Sequence, residues 1–150
     1  MNTTASPRVL TEKQLADFDR EGFLVVERML APAEAEEIRE AFTEAGQNGP
    51  VPGLSDPRKL MPDEPLAKWP RMLHPQRHPH LRVGRLALRY MLDPRIGAAL
   101  HDLFGEEPIA AQSMFYFKPP GARGQDFHQD NFYLRVKPGT CMAARRPCRR

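Results

Sequence analysis

The sequence predicts an α+β fold, helices first and sheet last, on three observations. Capped amphipathic helix patterns occupy residues 10–46 and 81–105, aromatic strand-like runs follow from residue 109, and 150 residues suit one domain with one modest core. Hydrophobic residues at 41% and charged residues at 27% are ordinary globular usage, which sets aside disordered and fibrous classes. Residues 1–9 are read as a disordered N-terminus, 10–144 as the domain and 145–150 as an atypical basic tail.

The first helix is expected over residues 10–21. Thr11 can cap it, Gln14 stands three residues on as the capping-box partner, and Leu10 and Leu15 take the hydrophobic-staple positions. Leu15 and Phe18 should then face the core, and Gly22 offers a left-handed stop. Phe23-Leu24-Val25-Val26 is a short apolar, partly β-branched run and reads as a buried strand.

Pro32 suits the first turn of a second helix, with Ala35, Ile38, Phe42 and Ala45 at helical spacing and Gly46 as terminator. Glu34, Glu36, Glu37, Arg39 and Glu40 form a solvated outer face, favourably signed near the helix start. From Pro50 to Pro79 the chain holds eight of its 16 prolines, which excludes a long helix or a central strand and predicts a covering loop. The only tryptophan, Trp69, implies that part of this loop packs. His74, His78 and His80 invite a metal reading, but Pro75 and Pro79 prevent one helix or strand from presenting them together, so they are read as a surface loop.

Residues 81–92 read as helical, although Gly84 weakens the pattern. Asp93-Pro94 opens a clearer helix with Asp93 as cap, Ile96, Leu100, Leu103 and Phe104 inward, His101 partly exposed and Gly105 as terminator. Strand texture covers 109–118, resumes over 127–136 after Pro119-Pro120-Gly121, and begins a third time at 140–144 after Lys137-Pro138-Gly139.

Composition also narrows the partners. Arg145, Arg146, Arg149 and Arg150 carry the surplus behind the net charge of +3, leaving the first 144 residues near −1, so the body offers no nucleic-acid footprint. No apolar run approaches the roughly 20 residues of a membrane span, and the first ten residues lack a basic segment followed by an apolar one. A small-molecule substrate and a cytoplasmic setting are the expectation. Cys141 and Cys148 are too sparse for a disulfide framework or a zinc site and read as ordinary thiols.

The strongest chemical signal is Phe127-His128-Gln129-Asp130-Asn131-Phe132-Tyr133. On extended backbone residues i and i+2 share a face, so His128 and Asp130 can offer an imidazole nitrogen and a carboxylate oxygen to one ion. Gln129 would point away. Two histidines and one carboxylate on one face of an octahedron leave three open positions, the arrangement of non-haem Fe(II) oxygenases.

The stretch QSMFYFKPPGARGQDFHQDNFYLRVKPGTCMAA, Gln112 to Ala144, closely resembles the phytanoyl-CoA dioxygenase family of Fe(II)/2-oxoglutarate-dependent oxygenases. LTEKQLADFDREGFLVVERML near the N-terminus resembles how such proteins begin, so the resemblance spans about residues 10–144. It implies N-terminal helices packed on a double-stranded β-helix, or jelly roll. It also implies His128 and Asp130 as the first two iron ligands. Gln112 and Met114 would line the 2-oxoglutarate and substrate pocket, with Lys118 in the KPP element at its edge. The implied reaction uses Fe(II), 2-oxoglutarate and O2 to hydroxylate a C–H bond of a small metabolite or acyl derivative.

The family's second iron-binding histidine and its 2-oxoglutarate-pairing arginine belong further downstream, yet no histidine follows His128. The arginine-rich residues after Ala144 replace an expected tryptophan and apolar strand, the pattern of a truncated or frame-shifted reading in which the jelly roll is incomplete at the C-terminus. Turnover by this chain is then not expected. The alternative readings are a non-catalytic fragment, a binding module, or a cupin-like metal protein taking a third ligand from His74, His78, His80 or His101.

Overall fold

The computed structural model describes residues 8–47, 49–56, 61–64, 66–122 and 124–147. The expectations for residues 1–7, for parts of the Pro-rich loop at 57–60 and 65, and for Cys148, Arg149 and Arg150 lie outside these. Helix α1 runs Glu12–Glu21, α2 Pro32–Gly46, α3 Arg82–Met91, α4 Pro94–Phe104 and α5 Asp130–Leu134. Between α2 and α3 lie strand β1, Met72–Leu73, and a single 3-10 turn, Pro75–Arg77; β2, Met114–Phe115, follows α4. The fold is α+β, with one antiparallel two-stranded sheet among the described residues pairing Met72 with Phe115 and Leu73 with Met114. No helix among them is long and apolar enough to cross a membrane.

The helix ends follow the local chemistry. Thr11 Oγ1 accepts from Gln14 N at 3.2 Å while Thr11 N donates to Gln14 Oε1 at 2.9 Å, a complete capping box, and Gly22 closes α1 in the left-handed region at φ 75°. Asp93 caps α4 by accepting from Arg95 N at 2.9 Å, and Gly105 ends it at φ 73°. Asp102 Oδ2 accepts from Val9 N at 2.7 Å and Leu10 N at 2.9 Å, which ties the chain before α1 to α4.

The core lies between α2, α3 and the loop that joins them. Ile38, Ala41 and Phe42 from α2 meet Val83, Leu86 and Ala87 from α3, with Leu30, Leu54 and Met72 completing the cluster. The Pro-rich segment is therefore more than a cover: Leu54, Met72 and Pro75 are among the most deeply buried side chains. Proline punctuation marks where the backbone bends and says nothing about which intervening side chains point inward. Phe115 stacks on Phe42 with centroids 4.0 Å apart and meets Phe117 edge-on at 5.0 Å, so β2 is held to α2 by aromatic contact. Gly46 sits inside the last turn of α2 instead of after it, buried where a Cβ would meet Phe117 at 3.0 Å and Trp69 at 3.1 Å.

Several expectations are corrected. Residues 23–26 form no strand; Phe23 is 64% and Val25 70% exposed, because among the described residues no neighbouring strand supplies a ladder or a sheet face to cover them. Of the 109–118 run only Met114 and Phe115 pair, and Ile109 is 93% exposed. Residues 127–136 turn into α5, and 140–144 are not paired. The jelly roll's stacked sheets are not among the described elements. Leu15 and Phe18 are half-buried, and along α4 Ile96, Leu100, Leu103 and Phe104 are half-buried while Ala99 alone is buried. The acidic face of α2 is only partly solvated: Glu34 pairs with Arg95 at 2.8 Å and Glu37 with Arg89 at 3.4 Å.

Candidate functional site

Extended backbone at Gln129, φ −103° and ψ 121°, connects His128 to Asp130, the first residue of α5. One extended residue is enough to bring side chains i and i+2 to the same side. His128 Nε2 lies 3.0 Å from Asp130 Oδ1. The strand expected around the pair is absent, and α5 takes its place, opened by a carboxylate in its first turn and stopped by Arg135 at φ 52°.

The other ring nitrogen, Nδ1, lies 2.8 Å from the backbone carbonyl of Asp126. With an N–H there, the ring is tethered through Nδ1 to the loop's own backbone, and the Nε2 lone pair is left on the Asp130 side. Tyr133 meets the His128 ring edge-on at 6.0 Å and Phe132 meets Tyr133 at 5.2 Å, so an aromatic pair flanks the imidazole. The side chains of His128 and Asp130 keep 23% and 35% of their surface exposed, leaving both reachable from solvent. Asn131 Oδ1 accepts from Val136 N at 2.8 Å and braces the far end of α5. The Asp126 carbonyl and the Tyr133 ring are contributions that residue types alone do not reveal; the signal for the ring was the Phe132-Tyr133 pair, two and three residues after the HQD triplet.

The remaining candidates lie on and beside β2. Gln112 is half-buried, Met114 is 41% exposed with Tyr116 Oη at 3.4 Å from its sulfur, and Lys118 is exposed beyond the strand. The strand that should have carried all three reaches only Met114. Its position is set by Ser113, whose carbonyl accepts from His74 N at 3.1 Å and whose Oγ donates to Gln76 at 2.7 Å.

Donor chemistry gives a fit test for iron. A nitrogen and an oxygen 3.0 Å apart span one edge of an octahedron with bonds of about 2.1 Å. A ligating histidine whose second nitrogen faces a backbone carbonyl is the usual support for such a site. Two donors fit; among the described residues no third histidine, cysteine, aspartate or glutamate gathers with them. His74 and His78 line a cavity beside β1, and His101 lies beside Asp102 on α4, so the cupin-like third ligand is not met among the described residues.

The family model described as phytanoyl-CoA dioxygenase matches residues 18–146, a span that holds α2 to α5 and every candidate residue. No curated protein and no solved structure matches the chain. On that span, the chain belongs to the phytanoyl-CoA dioxygenase family.

Proposed function

We propose that the chain carries part of the site of an Fe(II)/2-oxoglutarate-dependent dioxygenase acting on a small metabolite or acyl derivative. His128 and Asp130 would hold two adjacent positions on the metal. The observation that carries this reading is the 3.0 Å approach of Nε2 to Oδ1 with Nδ1 anchored on the Asp126 carbonyl. Family membership supplies the reaction class, and the jelly roll is the architecture that membership implies.

When bound, iron with 2-oxoglutarate and O2 supplies the oxidant for hydroxylation of a C–H bond. The residues supply placement. His128 offers the Nε2 lone pair, and the Asp126 carbonyl keeps the ring from rotating away. Asp130 would offer one negative oxygen, which would offset part of the charge of a divalent ion. Tyr133 lies edge-on beside the imidazole, with Phe132 against Tyr133. Gln112 and Met114 would line the cosubstrate side of the pocket, with Lys118 at its edge.

A metal titration with Mn(II), followed by electron paramagnetic resonance, tests the ligand assignment. His128→Ala and Asp130→Ala should each weaken Mn(II) binding at least about tenfold, since loss of a ligand exceeds the usual cost of losing its outer support. Unchanged affinity in both variants would sink the assignment. The two-donor set favours a second reading, a metal-binding module without turnover. Metal binding with no succinate formed from 2-oxoglutarate and Fe(II) selects it; iron-dependent succinate selects the dioxygenase.

A further inference from the structure

A second cluster lies away from the HQD triplet, where β1 runs into the 3-10 turn. Gly53, Ser55, Leu73, His74, Arg77 and His78 line a cavity of about 290 Å³. We propose that this cavity binds a phosphoryl group, either free phosphate or a phosphate monoester of a small molecule. The proposal stands on these residues alone and is independent of the metal reading.

The turn builds the cluster. After Leu73 the chain enters the left-handed region at His74, φ 49° and ψ 44°, and Pro75 starts a tight turn in which Arg77 N donates to His74 O and His78 N to Pro75 O, both at 2.9 Å. His74 and His78 thereby come to one cavity with Arg77 between them, because the tight turn at Pro75 brings together side chains that no single helix or strand could present. The floor is Gly53, at φ 75°, where a Cβ would stand 3.5 Å from His78 Cε1.

Three of the polar groups there have unused capacity. His74 Nδ1 is buried without a hydrogen-bond partner, a condition that costs stability and that a bound ligand would relieve. Ser55 Oγ accepts from Val51 N at 2.8 Å, which leaves its hydroxyl hydrogen to donate. Arg77 forms no ion pair among the described residues. No acidic side chain lines the cavity among the described residues.

Charge decides the class of ligand. Two imidazoles could serve a divalent cation, but a permanent guanidinium charge beside them, with no carboxylate opposite, repels one and attracts an anion. Donor number decides the shape. A guanidinium fork, two imidazoles and one hydroxyl line the cavity and together hold more donors than one planar group can meet. A planar carboxylate has two oxygens to meet them, whereas a phosphoryl group has three, arranged tetrahedrally. The cavity is at the small end of ligand pockets and leaves room for a short ester substituent.

Calorimetric titration of the full chain in phosphate-free, low-salt buffer tests the site with inorganic phosphate, methyl phosphate and acetate. Phosphate and methyl phosphate should bind one per chain, and acetate at least about tenfold more weakly. Methyl phosphate binding as tightly as phosphate identifies an ester site; phosphate alone identifies a free-ion site. Arg77→Ala should weaken phosphate binding by about tenfold or more, Arg77→Lys should restore only part because the fork is gone, and His74→Gln should weaken it by a smaller factor. Arg77 is exposed, so circular dichroism of Arg77→Ala should match the parent chain. No binding at about 10 mM phosphate, equal affinity for acetate, or unchanged phosphate affinity in both Arg77→Ala and His74→Gln would each overturn the proposal.

Discussion

Gly84 shows how a single residue can be misread from pattern alone. In the sequence it weakens a helix, because glycine in a helix interior costs about 1 kcal/mol relative to alanine. In the fold it is the point where α3 crosses the turn at Pro75–Arg77. A Cβ at this position would fall 1.8 Å from the carbonyl oxygen of His78 and 2.9 Å from that of Pro75, both of them backbone atoms that cannot swing aside. Gly84→Ala should therefore destabilise the chain by about 3 kcal/mol, the upper part of the overpacking range, despite the helix propensity it adds. A urea midpoint at or above that of the parent would show that the turn yields freely. The same substitution should disturb the His74 to His78 segment first, which ring-proton shifts of those histidines would reveal. His128 and Asp130 were legible because their proximity needs only one extended residue between them. The Asp126 carbonyl and the His74 cluster were not, since they depend on how a turn folds back on itself.

At the scale of elements, what was legible is what is local. Thr11, Gln14, Gly22, Asp93 and Gly105 act within a few residues of themselves, and the ends of α1 and α4 follow from them. Strands depend on distant partners, so texture at 23–26 and 127–136 could not decide whether a ladder forms. Contacts between elements were likewise hidden. Arg95, in the first turn of α4, reaches Glu34 of α2 at 2.8 and 3.0 Å while also binding the capping carboxylate of Asp93. Hydrogen bonds from Arg95, and then from the Ala31 backbone, hold the Glu34 carboxyl down at about 2 from an ordinary 4.5. Asp93 is lowered in the same direction, first by Arg95. Carboxyls depressed in the folded state stabilise it above their unfolded values and lose that contribution as they are protonated. Stability from Glu34 should thus be complete above about pH 4.5 and fade towards pH 2. Urea unfolding across that window should show a shallower acid loss in Arg95→Ala than in the parent. Parallel curves would mean that the α2 to α4 link does not persist in solution.

For the whole molecule, the balance between buried and exposed apolar surface is the governing fact. The core gathered by α2, α3 and the Pro-rich loop is well closed, whereas Phe23, Val25, Ile109, Phe127, Phe132 and Tyr133 stand open. Those residues belong to stretches whose strand texture found little or no ladder, so their exposure follows from the shortness of the sheet among the described residues. Apolar groups left in water attract one another between molecules as readily as within one. The chain should accordingly enhance the fluorescence of anilinonaphthalene sulfonate at neutral pH and associate with rising concentration. Val25→Thr combined with Phe127→Ser should reduce both effects. Because neither residue is buried, the unfolding midpoint should stay within about 0.5 kcal/mol of the parent. If the double variant lost its cooperative transition instead, these side chains would be packed in solution, and the open surface would be closed by contacts between copies.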